Sequence, residues 1–401
     1  MKTFFLLAAA AAFVSAQAPS APANPTPFNR GQVSSYDGSN RGGDALFGTH
    51  PIPLVRLADA RYLANDGQTP IGGLPGPMFD QGLGTEAPNV RSVSNIVVGN
   101  STSVRNTRRP LNAFHTFWGQ FMDHDLGLTE GVGNDYPIDV TGDATFNPNN
   151  IGGVSTQIPF GRAIFENDTL GVRQQDNDIT AWIDSSFVYG EDDEKVFLLR
   201  GARCRADNGE CPGQFLMTPQ GAYGNLPTTA VVTAENGGSL PTVVAANPVG
   251  VVDDDQIRVG GDIRAQENNA LESMHTIFVR EHNRCAIQLA DDNSDRTSDE
   301  IFEECRWFNM AYVQNILYSE YSPLLLPEVG MAGVPGRLGQ NLDAVYQGYN
   351  STASPNVFNE FSGALFRYGH SELPTEITRA DFTNGNLIES TIPGADISRQ
   401  M

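Results

Sequence analysis

The sequence predicts a mainly α fold with long irregular loops and little strand. Apolar residues recur at helical spacing in several long stretches, alternation is scarce, and the intervening segments are rich in glycine and proline. Leu111, Phe114, Phe117, Trp118, Phe121, Met122 and Leu126 follow Pro110 at helical spacing, so a largely buried helix is expected over 110–126, with proline suited to its first turn. A second helix is expected from Ser186 to Arg200. The third, Asn269 to Leu289, carries Leu271, Met274, Ile277, Phe278 and Ile287 on one broad stripe. The fourth, Asp299 to Tyr318, repeats this with Ile301, Phe302, Phe308, Met310, Val313 and Ile316. Residues 37–98 and 204–258 read as loops wrapped on these helices, and no internal repeat is present.

The chain has 401 residues, and its 40% hydrophobic content supports a substantial core, which excludes a disordered or collagen-like chain. Twenty-five basic residues against 47 acidic ones leave a net charge of −22, which repels phosphate backbones and argues against nucleic acid as a partner. Lys2, the apolar run from Phe4 to Val14 and the small Ser15-Ala16 pair form a signal peptide over 1–16, cleaved after Ala16. A proline-rich leader (17–35) and one folded domain (36–401) follow. No later stretch approaches ~20 apolar residues, so no transmembrane segment is expected and the mature protein is read as secreted and extracellular. In that oxidising setting the four cysteines allow three pairings, of which Cys204–Cys211 with Cys285–Cys305 is the simplest. Asn100, Asn167 and Asn350 each open an N-glycosylation tripeptide.

Four segments could carry chemistry. In Trp118-Gly-Gln-Phe-Met-Asp-His-Asp125 a histidine stands between two acids inside an apolar helix. Successive helical residues are about 100° apart, so Asp123, His124 and Asp125 must face three ways, with Gln120 on the face of His124. Asp262-Ile-Arg-Ala-Gln-Glu267 follows Gly260-Gly261 and sets a cation and an acid three residues apart, suiting either a site or a helix-start ion pair. Thr180-Ala-Trp-Ile-Asp184-Ser-Ser186 offers oxygen donors suited to a hard cation, or caps for the next helix. Leu365-Phe-Arg-Tyr-Gly-His370 places an arginine and a potential transition-metal ligand in an aromatic turn.

Together with Arg280-Glu-His-Asn-Arg284, these segments resemble the animal haem peroxidases, from about Tyr36 to the end. The resemblance implies a helical peroxidase domain in which His124 is the distal catalytic histidine, Gln120 lines the distal pocket, Arg264 is the distal arginine and His370 is the proximal ligand of the haem iron. It further implies haem ester links at Asp123 and Glu267, a haem-propionate partner in Arg367, and a calcium site of Asp125, Thr180, Trp182 (through its carbonyl), Asp184 and Ser186. The implied activity is oxidation of halide, pseudohalide or small phenolic donors by hydrogen peroxide through a ferryl intermediate. His275 and His282 are expected in structural roles.

Three departures qualify the resemblance. Asn268 stands where myeloperoxidase carries a methionine linked to haem, so a third covalent link is impossible and chloride is a less suitable donor than bromide, iodide, thiocyanate or phenols. Arg367 stands where the related lipid dioxygenases carry a radical-forming tyrosine, which disfavours that chemistry. The family also continues for several helices after the proximal histidine, so the C-terminal part of the domain is expected to be missing. The alternative is a non-catalytic, calcium-stabilised adhesion or matrix module with a degenerate haem site. Oligomeric state is not legible.

Overall fold

The computed structural model describes residues 35–58, 90–97, 111–140, 143, 156–200, 213–240, 245–246, 252–325 and 350–393, with short interruptions. The signal peptide, almost all of the leader, Cys204, Cys211 and Asn100 lie outside the described residues. In chain order the helices are α1 (Val90–Val97), α2 (Ala113–Leu126), α3 (Ser186–Tyr189), α4 (Asp193–Leu199), α5 (Thr229–Glu235), α6 (Asn269–Asp292), α7 (Ser298–Ile316), α8 (Ser322–Leu325) and α9 (Asn359–Gly363).

Capping chemistry sets several boundaries that periodicity misplaces. Asn112, in extended conformation, accepts a hydrogen bond from the His115 amide at 3.3 Å, so α2 begins after Asn112 rather than at Pro110. The helix expected from Ser186 to Arg200 is two helices. Gly190 ends α3 at φ +94, a conformation that side chains rarely adopt, and Asp192 starts α4 by accepting from the Lys195 amide at 2.7 Å. Thr297 and Glu300 form a reciprocal capping box at the start of α7, which continues through a π turn, Leu317–Tyr321, into α8. α5 lies in a stretch read as irregular.

The strands are mostly two-residue ladders joining 52–53 to 176–177, 138–139 to 157–158 and 166–167 to 173–174. The exception is an antiparallel hairpin of Glu376–Thr383 with Asn386–Pro393, pairing Ile377 with Ile392 and Phe382 with Leu387. Scarce alternation gave no expectation of strand here. The Asn384-Gly385 dipeptide between the two runs was the available signal.

The core is built where α2, α3 and α6 meet. Phe117, Trp118, Phe121 and Met122 of α2 are buried, and the Phe121 ring lies 3.9 Å from Phe187 and 5.4 Å from Phe278, centroid to centroid. A disulfide between Cys285 and Cys305, with Cα atoms 5.7 Å apart, ties α6 to α7. His282 bridges the Tyr189 hydroxyl at 2.9 Å and the Gln214 carbonyl at 2.8 Å, whereas His275 packs edge-on against Phe121 and Phe187. Burial pushes these imidazoles down to about 4 for His275 and about 3 for His282, so both are neutral framework groups.

Gly261 lets the loop before α6 lie directly on α3, and Gly260 lets that loop close on Ala265 and His275. A Cβ at Gly261 would overlap the Ser186 carbonyl oxygen and the Val188 backbone, and one at Gly260 would lie 2.7 Å from the Ala265 methyl. The contact is completed by the Asp262 amide, which donates to the Phe187 carbonyl at 3.0 Å. Gly261→Ala therefore forces backbone apart and is expected to cost about 3 kcal/mol, the upper end for overpacking, measured as a lowered midpoint in urea unfolding.

Candidate active site

The three consecutive polar residues of α2 face three different environments. Asp123, 8% exposed, opens onto a cavity; His124, 2% exposed, faces the loop before α6; and Asp125, fully buried, faces the 180–186 loop. The cavity is open to solvent. Gln120, Asp123, His124, Arg264, Glu267, Arg367 and His370 all line it, so one space gathers side chains from α2, the pre-α6 loop and the 3₁₀ turn Leu365–Glu372.

Arg264 is held by Asp262 rather than by Glu267, which removes the reading of Arg264 and Glu267 as a simple ion pair at a helix start. Its Nε and Nη2 donate to the two Asp262 oxygens at 2.9 and 2.7 Å, and Nη2 also donates to the Gly127 carbonyl at the end of α2, 3.1 Å away. Burial opposes charge on both partners, yet Arg264 holds the Asp262 carboxyl well below the usual range and Asp262 raises the arginine in return. The result is a fixed cation whose Nη1 lies 3.7 Å from Asp123.

His124 sits between two carboxylates, with Nδ1 3.7 Å from Asp262 and Nε2 3.6 Å from Glu267. Burial and then the Arg264 charge push the imidazole well below 6.5, so it is neutral at physiological pH. Its buried Nδ1 has no hydrogen bond in this arrangement. Burial also raises Glu267, to about 7, and Asp123. Glu267 accepts from Gln120 Nε2 at 2.6 Å, and Asp123 accepts from Arg367 Nη1 at 3.1 Å.

Asn268 has a local role. Its side chain donates to Gln120 Oε1 at 2.8 Å and accepts from the Leu271 amide at 2.9 Å, so it orients the cavity glutamine while capping the first turn of α6. Asp262 carries no signal of its own in the sequence beyond opening the Asp262–Glu267 segment. Its importance depends on a buried pairing that no spacing rule announces.

Asp125, Thr180, Asp184 and Ser186 are brought together on the far side of α2. Ser186 Oγ and the Ser185 amide donate to the two Asp125 oxygens, each at 3.2 Å. Thr180 Oγ and the Ser186 amide donate to Asp184, each at 3.0 Å. Ser185 holds the left-handed conformation at φ +63, which turns its amide toward Asp125. The Trp182 indole donates to the Gly38 and Phe47 carbonyls at 3.1 Å. Arg41 Nη1 meets Asp184 Oδ2 at 2.7 Å. Among the described residues no cluster of three or more His, Cys, Asp or Glu side chains is poised for a metal, so this site offers two carboxylates and two hydroxyls. Asn350 is exposed, as a glycosylation acceptor requires; the Asn167 side chain lies outside the described residues.

The animal haem peroxidase family matches residues 33–399 of the chain. The chain is 29% identical over 377 residues to the peroxidasin homologue pxn-2 of Caenorhabditis elegans, covering 86% of this chain and 26% of that protein. It is 31% identical over 371 residues to human lactoperoxidase, covering 86% and 47%. The chain thus spans half or less of the length of these two relatives. Among solved structures, peroxidase A from Dictyostelium discoideum superposes with a TM-score of 0.68 at 24% identity, covering 90% of this chain and 64% of that one. The fatty acid alpha-dioxygenase of Oryza sativa superposes at 0.55 with 15% identity, covering 92% and 56%, a likeness of fold.

Proposed function

The chain belongs to the animal haem peroxidase family, and from that premise we propose that it is a secreted peroxidase that uses hydrogen peroxide to oxidise halide, pseudohalide or small phenolic donors. The observation that carries this reading is the single cavity lined by His124 and Arg264 together with His370. The donor set suits haem: one imidazole for the iron, a second held neutral and uncommitted at Nδ1, two carboxyls raised by burial, and two arginines for anionic edges. His370 would hold the iron, Arg367 a propionate, and Asp123 and Glu267 the macrocycle through ester bonds. Haem, when bound, supplies the redox-active iron at which peroxide is cleaved.

The protein's own residues supply proton transfer and charge. A neutral His124 accepts the proton of an entering peroxide at Nε2, the nitrogen facing Glu267, and returns it to the departing oxygen. Arg264 presents a positive charge that needs no reorganisation, because Asp262 and the Gly127 carbonyl already fix it. Gln120, held at both ends by Glu267 and Asn268, offers its amide to the same space. Asp125, Thr180, Trp182, Asp184 and Ser186 offer a calcium site on the face of α2 adjoining His124, where Asp125 is already held by the Ser185 amide and the Ser186 hydroxyl. Secretion is supported by the α6–α7 disulfide, and no helix among the described residues is long and apolar enough to cross a membrane.

The test is reconstitution. The purified protein with haem is expected to show a Soret band and to oxidise bromide, iodide, thiocyanate or a phenol only when peroxide is present. His370 is exposed on its turn, and this supports a second reading, a non-catalytic secreted module that retains haem poorly. A colourless and inactive preparation would select it.

A further inference from the structure

The cluster behind α2 already contains a cation. Its two carboxylates are 0% and 2% exposed, and the Thr180 and Ser186 side chains are buried with them. Asp125 is satisfied by Ser185 and Ser186, leaving Asp184 as the group with a charged partner: Oδ2 accepts from Thr180 and meets Arg41 Nη1 at 2.7 Å. The Arg41 side chain is only 12% exposed, and its Nη2 donates to the Ser35 carbonyl at 2.7 Å. The segment that carries it is strapped over the 180–186 loop. Trp182 donates to Gly38 and Phe47, and the Ala181 amide donates to the Gly48 carbonyl at 3.1 Å.

We propose that Arg41 is a built-in counter-cation for the Asp125–Asp184 pocket, and that a divalent ion enters only by displacing its guanidinium from Asp184. This sharpens the calcium part of the preceding reading, but it rests on the pocket's own geometry and is independent of haem. A calcium ion collects six to eight oxygens and requires both carboxylates. The guanidinium blocks one oxygen of Asp184 and repels a second cation across the same few ångströms. Because the arginine is tethered by a hydrogen-bonded strap, it competes at high effective concentration. The chain then keeps α2 in place without calcium and binds the ion weakly.

Terbium luminescence excited through the nearby Trp182 indole, with calcium competition, measures ion binding, and thermal unfolding in calcium or in EDTA measures its structural consequence. Arg41→Gln is expected to bind terbium and calcium at least tenfold more tightly than the unmodified chain and to unfold at a lower temperature in EDTA than in calcium. The unmodified chain and Arg41→Lys, which keeps the charge, are expected to unfold at the same temperature in both. Equal affinity in the unmodified chain and Arg41→Gln overturns the proposal. So does a calcium-dependent unfolding temperature in the unmodified chain, a result that stands even if Arg41→Gln fails to fold. Neither readout uses haem or activity, so failure of the peroxidase reading leaves both outcomes intact.

Discussion

Replacing His124 by alanine is expected to lower peroxide-dependent oxidation of a small donor by about 10²–10⁴-fold, the usual contribution of a positioned acid–base group. Steady-state rates normalised to haem absorbance make this measurement, because His124 would not ligate the iron and its loss should leave the Soret band. Arg264 remains paired with Asp262 in such a variant, so its charge on the cavity persists and isolates the proton-transfer contribution. A rate within threefold of the unmodified protein would remove His124 from the chemistry. The pH profile adds a second check. His124 lies well below 6.5 through burial and the Arg264 charge, so no inflection is expected at the ordinary histidine value. Glu267, 3.6 Å from Nε2, is raised by burial to about 7. A free Glu267 therefore gives an inflection near 7, whereas a Glu267 esterified to haem gives none and leaves haem that resists acid extraction.

Asp262→Asn is expected to destabilise the protein by about 3–5 kcal/mol, because it strands the Arg264 charge in a buried setting. Denaturant unfolding measures this directly. The double variant Asp262→Asn/Arg264→Gln should recover part of the loss, since the orphaned charge is gone; a double variant as unstable as the sum of its parts would show that the pair does not act as a unit. The pH dependence has a definite sign. The Arg264 charge holds the Asp262 carboxyl well below the usual carboxylate range in the folded protein, so its stabilisation is fully present wherever an ordinary aspartate is ionised and is lost as pH falls toward the folded-state value. The stability gap between the unmodified protein and Asp262→Asn should be flat from pH 7 to pH 5 and should narrow below pH 4. In catalysis the same variant frees Arg264 to move, so peroxide turnover should fall although Asp262 lies behind the arginine.

Much of the cavity was legible because its parts are local. A 100° step per residue requires Asp123, His124 and Asp125 to diverge, and in the structure they reach the cavity, the pre-α6 loop and the 180–186 loop respectively. Three long helices follow from apolar spacing, whereas the one expected over 186–200 breaks at Gly190 into two short ones; boundaries follow from capping side chains such as Asn112, Asp192 and Thr297 that the apolar pattern does not weigh. The hairpin at 376–393 escaped because its strand runs carry charged and polar residues that dilute the alternation.

The sequence by itself determined the helical class, the family resemblance and which residues share a helical face, since each depends on positions within a few turns of chain. Only the tertiary structure decided that Arg264 pairs with Asp262 and with the end of α2, that Asn268 holds Gln120, and that Arg41 reaches Asp184 from a strap far back in the chain. Those pairings depend on how loops return to the core. Charge balance in a buried site is set by whichever side chains the packing delivers there, and neither periodicity nor spacing records that delivery.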